Sequence, residues 1–275
     1  MIIDSFIFFN ELDVLEGRLR YLYDSVDYFV IVESNLDHSG NTKPLLFTEN
    51  QSRFQPWLDK IVCYPYLVVP EQFDFARVPE NDHDFAAGSW QMENGQRNHI
   101  AEALHHFPND AVVMVSDVDE IPHRDAIGIA QSSFSPGWPM FALRQDYLLY
   151  NFGQRMPEPW SGTVISTNQY IQQITPQGAR TQKTHIAWID RAGWHLTYWG
   201  TPEQILTKIQ SFAHQELNRS PYNDIDYIRA RVAAGQDLFG RPEVVTVPMD
   251  SNSIPQDIQE IFGDLSDKST LKTIK

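Results

Sequence analysis

The apolar residues of this chain fall into short blocks whose period changes from block to block. Ile2 to Phe9 is a largely apolar run rich in β-formers and predicts a buried strand. Asn10-Glu11-Leu12-Asp13 follows, with capping residue types at both ends, and leads into Leu12, Leu15, Leu19 and Leu22. Those spacings of three and four mark one face of a helix. Tyr28 to Glu33 is a second apolar, β-branched run. Strand, helix and strand in this order predict a βαβ unit, with parallel strands and a right-handed crossover.

Beyond it, residues 34–43 are polar and turn-like, a short helix is expected around Gln51 to Leu58, and a strand from Lys60 to Tyr64. Pro65 to Ala87 reads as a long loop, a length usually kept for function or mobility. Trp90 to His106 predicts one helix, with Trp90, Arg97, Ile100 and Leu104 at turn spacing. Ala111 to Val115 predicts a strand running into Asp117. Further strands are expected at Met140–Leu143, Tyr147–Phe152 and Gly193–Tyr198, and helices at Pro202–His214 and Asp224–Ala234. The rest of the C-terminal third reads as irregular, and Asp264 to Lys275 as a polar, frayed tail. The fold class expected is α/β: one domain with a mixed, mostly parallel sheet flanked by helices.

Charge adds one constraint. At 42% hydrophobic, 275 residues can bury a sizeable core, but 36 acidic against 21 basic residues give a net charge of −15. That surface argues against nucleic acid or an anionic membrane as the main partner. A phosphorylated substrate would also be repelled unless local cations reverse the field, which a divalent metal held by carboxylates does. Cys63 is the only cysteine, so no intrachain disulfide forms, in keeping with a reducing compartment. With neither a signal-peptide pattern nor a membrane-length apolar run in view, a soluble, cytoplasmic protein is expected.

The residues that point to chemistry are Ser116-Asp117-Val118-Asp119-Glu120, directly after a buried strand. Open α/β sheets bind ligands at the carboxyl ends of their strands. Two carboxylates two residues apart can address one hard cation there, Mg²⁺ or Mn²⁺, which completes its shell with water and substrate phosphate. The structural alternative is that Asp117 and Asp119 cap the helix after Pro122. No Walker or dinucleotide glycine fingerprint occurs, which favours metal-based phosphate binding.

Five stretches, in order, resemble glycosyltransferase family 17. They are Asp4 to Asp13 continuing through Arg18-Leu19, Val26 to Ser34, Gln96-Arg97-Asn98, Ser116 to Pro122, and Gly193-Trp194-His195 followed by Glu203-Gln204-Ile205 and Ser211 to Glu216. The resemblance implies a GT-A-type nucleotide-diphospho-sugar transferase fold, an inverting mechanism, a divalent metal and a UDP-sugar donor, with UDP-N-acetylglucosamine the precedent. It implies a carbohydrate acceptor whose identity it leaves open. On this reading residues 1–262 form one catalytic domain, 1–122 the donor half and 123–262 the acceptor half, with 263–275 a polar tail.

Roles follow, each beside a plainer one. Asp117 and Asp119 are metal and diphosphate ligands. Glu120 orients metal-bound water or is a helix-start charge. The resemblance makes His195 the third metal ligand, with His214 its competitor. Glu203 is the general base of inverting transfer, or a first-turn glutamate offsetting a helix dipole; Asp146 and Glu216 are its rivals. Asn10, Glu11 and Glu33 line the nucleoside pocket; for Asn10 and Glu11 the plainer role is helix capping. Arg97 reaches a phosphate or sugar hydroxyl, or only pairs with Glu93 one turn away. Two other classes compete: a metal-dependent phosphohydrolase, and a non-catalytic sugar-binding protein on the same fold.

Overall fold

The computed structural model describes residues 1–81, 84–241, 247–248 and 254–267. Its first half runs β1 (Ile2–Phe8), α1 (Leu12–Leu22), β2 (Tyr28–Ser34), the single turn α2 (Leu46–Glu49), a 3₁₀ stretch Gln51–Lys60, β3 (Ile61–Tyr66), α3 (Gly88–Asn98), α4 (Ile100–Leu104), β4 (Val112–Asp117) and β5 (Glu120–Pro122). The second half adds α5 (Arg124–Ser133), β6 (Met140–Leu149), β7 (Gln154–Arg155), β8 (Trp160–Thr167), α6 (Asn168–Ile174), α7 (Pro176–Thr181) and β9 (Trp188–Ile189). It ends with β10 (Gly193–Thr197), α8 (Pro202–Ser211), α9 (Ile225–Ala233), β11 (Val247–Pro248) and α10 (Gln256–Asp267).

Strands β3, β2, β1 and β4 lie side by side and parallel, as the βαβ pattern predicts; β8 then joins antiparallel and hands the sheet on to β6. The inner parallel strands β1, β2 and β4 are buried on both faces, which is why they read as near-continuous apolar runs. Their period of two divides the residues. Phe6, Phe29, Ile31 and Met114 meet Leu15, Leu19 and Leu22 of α1, while Ile3, Ile7, Val30, Val32, Val113 and Val115 meet Ile100, Ala103 and Leu104 of α4.

The structure departs from the sequence expectations in several places, among them the helices α6 and α7, which were not expected. The helix expected from Trp90 to His106 is two, because Glu102 N–H bonds back to His99 as a 3₁₀ step. Met140–Leu149 is one strand rather than two, with a register shift between Ala142 and Arg144 that lets it bend past β8. Strand β8, Trp-Ser-Gly-Thr-Val-Ile-Ser-Thr, lies where small polar residues masked the signal. The C-terminal third is not irregular: α10 packs on α1, its Phe262 ring seated where a Cβ on Gly17 would stand, only 2.3 Å away. That helix crosses residue 262, the expected domain end, and covers the first residues of the expected tail; 268–275 lie outside the described residues. Among the described residues no helix is long and apolar enough to cross a membrane.

Candidate active site

The acidic residues stand on a turn between β4 and β5, at the carboxyl edge of the parallel strands. Arg18 shapes that turn from beneath. It occupies the inward stripe of α1, one turn after Leu15 and one before Leu22, and is fully buried. Its Nη1 donates to the backbone carbonyls of Asp117, Val118 and Glu120 at 3.0, 3.1 and 2.7 Å. Nη2 reaches Ser116 Oγ at 2.7 Å, and Nε and Nη2 hold the buried Asp4 carboxylate at 2.8 and 2.6 Å. A planar guanidinium with five donors is the side chain that can meet so many acceptors at once. From the other side, Leu196 N–H donates to Asp119 O at 2.8 Å, and β10 pairs with β5, His195 opposite Glu120. Gly193 starts that pairing at φ +139°, where a Cβ would lie 2.0 Å from the Ile121 carbonyl oxygen.

Each carboxylate of the turn meets basic side chains. Asp117 accepts from Arg97 on Oδ1 and from Arg180 on Oδ2, both at 2.9 Å. Burial alone would raise its pKa, but the two guanidiniums hold it well below the usual carboxylate range. Asp119 accepts from Lys208 Nζ at 2.8 Å, and His195 Nε2 lies 3.5 Å from its other oxygen. Here too burial is outweighed, by Lys208 and His195, and the carboxyl is held low. Glu120 is fully buried, accepting from Arg180 Nη1 and Trp160 Nε1 at 2.7 Å and from the Asp117 N–H at 3.0 Å. It braces the turn from inside and does not face solvent. Lys183 lies over the Trp160 ring at 4.0 Å; burial first, then the neighbouring Arg180, pulls its pKa down to about 8. The protein's own cations thus offset the carboxylates of the turn.

An open cleft adjoins Asp119. Asn10 and Glu11 after β1, with Asp13 of α1, line one wall; Leu196 of β10, Tyr198, Trp199 and Gly200 after it, and Gln204, Ile205 and Lys208 of α8, line the other. Asn10 and Glu11 therefore stand in the cleft, and neither side chain caps α1. Glu33 stands outside the lining. It is buried and accepts from Lys43 Nζ at 2.9 Å and from the N–H groups of Leu46 and Phe47 at 2.5 and 3.0 Å, a brace for the start of α2. Glu203 is also outside: 61% exposed, it pairs with Arg229 at 2.7 Å, while the next residue but one after Pro202, Gln204, faces the cleft. Arg97 combines its two readings, bonding both Glu93 at 2.8 Å and Asp117. The rivals for the base are scattered. Asp146 lies 3.8 Å from Arg155, its pKa raised by burial against the pull of Arg155 and Arg191. Glu216 bonds His214 Nδ1 at 2.8 Å, beside Trp90.

His195 is buried between Tyr147, with ring centroids 4.9 Å apart, and Trp160 at 5.0 Å. Its Nε2 is 3.0 Å from Thr197 Oγ1, and its buried Nδ1 has no partner among the described residues. Asp119 and His195 fit a divalent cation as adjacent oxygen and nitrogen donors. Asp117 does not fit as it stands, since both its oxygens are held by guanidiniums. No group of three His, Cys, Asp or Glu side chains converges among the described residues, so substrate phosphate and water would have to complete the shell.

Sequence reasoning passed over Arg180, Lys183 and Lys208, and gave Arg18 no role. Single basic residues 63 and 89 positions from their carboxylates carry no local signal. Arg18 did carry one: an arginine on a leucine stripe is a charge placed in a core.

The model of glycosyltransferase family 17 matches residues 1–248 of the chain. Among curated proteins, the chain is 27% identical over 264 residues to a β-1,4-mannosyl-glycoprotein 4-β-N-acetylglucosaminyltransferase from Rattus norvegicus and 26% identical to the one from Homo sapiens. Each alignment covers 82% of this chain and 46% of the relative, so the chain spans about half the length of the proteins it matches. Among solved structures, a galactosyltransferase, LgtC, in complex with donor and acceptor sugar analogues is similar at a TM-score of 0.36 and 10% identity, covering all of this chain and 97% of that one. The 4-diphosphocytidyl-2C-methyl-D-erythritol synthase from Anaerococcus prevotii is similar at 0.39 and 9%, covering 80% and 96%. Likenesses this distant do not bear on the chemistry.

Proposed function

The chain belongs to glycosyltransferase family 17, and we propose that it moves a sugar, N-acetylglucosamine, from a UDP-linked donor to a carbohydrate hydroxyl with inversion at the anomeric carbon. The observation that carries this reading is the cleft itself. In a chain of this family, it opens at the carboxyl ends of the first and fourth strands and ends on a carboxylate turn held by basic side chains. The sugar and the acceptor class come from the relatives' names, which describe a mannosyl-glycoprotein N-acetylglucosaminyltransferase.

Breaking a sugar–diphosphate bond leaves negative charge on the departing nucleotide and positive character on the sugar. A divalent ion at Asp119 and His195 supplies Lewis-acid stabilisation of that leaving group when bound. The chain's own contribution is preorganisation. Arg18 sets the backbone of the turn, Arg97 and Arg180 fix Asp117, and Glu120 and Trp160 hold the floor, so little reorganisation accompanies charge development. Asn10 and Glu11, on the far wall of the cleft, are placed to receive the nucleoside. The attacking hydroxyl requires a carboxylate base on the opposite face of the sugar.

The test is a thermal-shift and hydrolysis series with UDP-N-acetylglucosamine, UDP-glucose and UDP-galactose, each with Mn²⁺, with Mg²⁺ and with chelator. A donor at 100 times its dissociation constant stabilises the fold by about 2.7 kcal/mol. Stabilisation by one UDP-sugar, with slow release of its sugar to water, is the expected result. No response to any uridine nucleotide would sink the donor assignment, and turnover of p-nitrophenyl phosphate in its place would replace it with phosphohydrolysis.

A further inference from the structure

We propose that Lys208 is the side chain that binds the diphosphate of the donor, an inference that rests on the donor reading above. Of the twelve residues lining the cleft, Lys208 alone is basic, against the carboxylates of Glu11, Asp13 and Asp119. A diphosphate entering a wall of carboxylates is repelled unless a cation stands where it passes. Lys208 stands there: its Nζ is 2.8 Å from Asp119 Oδ2 and 4.0 Å from Glu11 Oε1. It therefore bridges the nucleoside wall of the cleft and the acidic turn, the path that the linkage between nucleoside and sugar must follow.

Among the other basic side chains at the turn, Lys183 lies over the Trp160 ring and does not line the cleft, while Arg180 and Arg97 are committed. Arg180 is shared between Asp117 and Glu120, and a further Nη1 donor reaches the Gly162 carbonyl. Arg97 is shared among Glu93, Asp117 and Gln177. Neither lines the cleft. Lys208 has one close carboxylate and three N–H donors on a flexible stem, so it can keep Asp119 and still offer donors to phosphate oxygens. Its base is rigid. Helix α8 begins with a capping box in which Thr201 Oγ1 accepts from Gln204 N–H and the Gln204 side chain accepts from Thr201 N–H.

The experiment compares wild type, Lys208→Met and Lys208→Arg for binding of UDP and of uridine, by quenching of tryptophan fluorescence, since Trp199 lines the same cleft. Removing one charge-assisted contact predicts a roughly tenfold to hundredfold weaker UDP affinity for Lys208→Met. Uridine binding should be unchanged in that variant, and Lys208→Arg should recover most of the UDP affinity. UDP binding by Lys208→Met at wild-type strength would overturn the assignment. So would an equal loss for UDP and uridine, which would mark Lys208 as a structural partner of Asp119 only. Wild type that binds no UDP would instead bring down the donor reading, and this inference with it.

Discussion

Replacing Arg18 with methionine removes a guanidinium that the fold uses as a bracket. The methionine fills part of the volume but makes none of the bonds. Asp4, fully buried, loses its ion-pair partner, and the carbonyls of Asp117, Val118 and Glu120 and the hydroxyl of Ser116 lose theirs. Breaking a buried pair by removing one partner costs about 3–5 kcal/mol, because the remaining charge stays desolvated. That is a large part of the 5–15 kcal/mol typical of a whole domain. At the ~2–4 °C per kcal/mol usual for chains of this size or slightly smaller, the midpoint should fall by roughly 6–20 °C. Urea unfolding followed by tryptophan fluorescence measures the loss. Adding Asp4→Leu to Arg18→Met should recover part of it, because the second change removes the orphaned charge. The variant should also lose UDP affinity at temperatures where it is fully folded, since the turn has lost its backing. A loss of under about 1 kcal/mol, or no recovery in the double variant, would refute the claim that this pair is what holds the turn.

Two further outcomes follow from side-chain placement. Glu203→Gln should leave sugar transfer within about twofold of wild type, because that carboxylate faces Arg229 on the surface; a base would instead lose about 10²–10⁴-fold in an acceptor-dependent assay. Cys63, whose thiol burial and the nearby Glu33 push up to about 12, should react with iodoacetamide at pH 8 about a thousandfold more slowly than an ordinary thiol. Labelling at the rate of free cysteine would show that β3 opens to solvent.

Whatever depends on near neighbours along the chain can be read from the residues alone. The leucines at 12, 15, 19 and 22, the apolar runs before residues 9 and 34, and the run into Asp117 specify helix and strands through period alone, so the parallel unit and the place of the acidic turn at a strand end were legible. The resemblance carried across five short stretches named the family before any coordinates. The helix at Gln256–Asp267 carried the same kind of signal, with Ile258, Ile261 and Phe262 at helical spacing, but the expectation there was irregular structure.

Tertiary structure decided the electrostatics. Asp117 and Asp119 read as a free pair of metal ligands, yet the fold brings Arg97, Arg180, His195 and Lys208 onto them from three helices and a late strand. Glu33 and Glu203 have the composition of site residues, but one is turned inward to brace a helix and the other outward to an arginine. Charge acts through space over a few ångströms and ignores sequence separation, whereas hydrophobic period acts through consecutive residues. The elements were therefore written locally, and the partners of Asp117 and Asp119 were set only when the chain closed on itself.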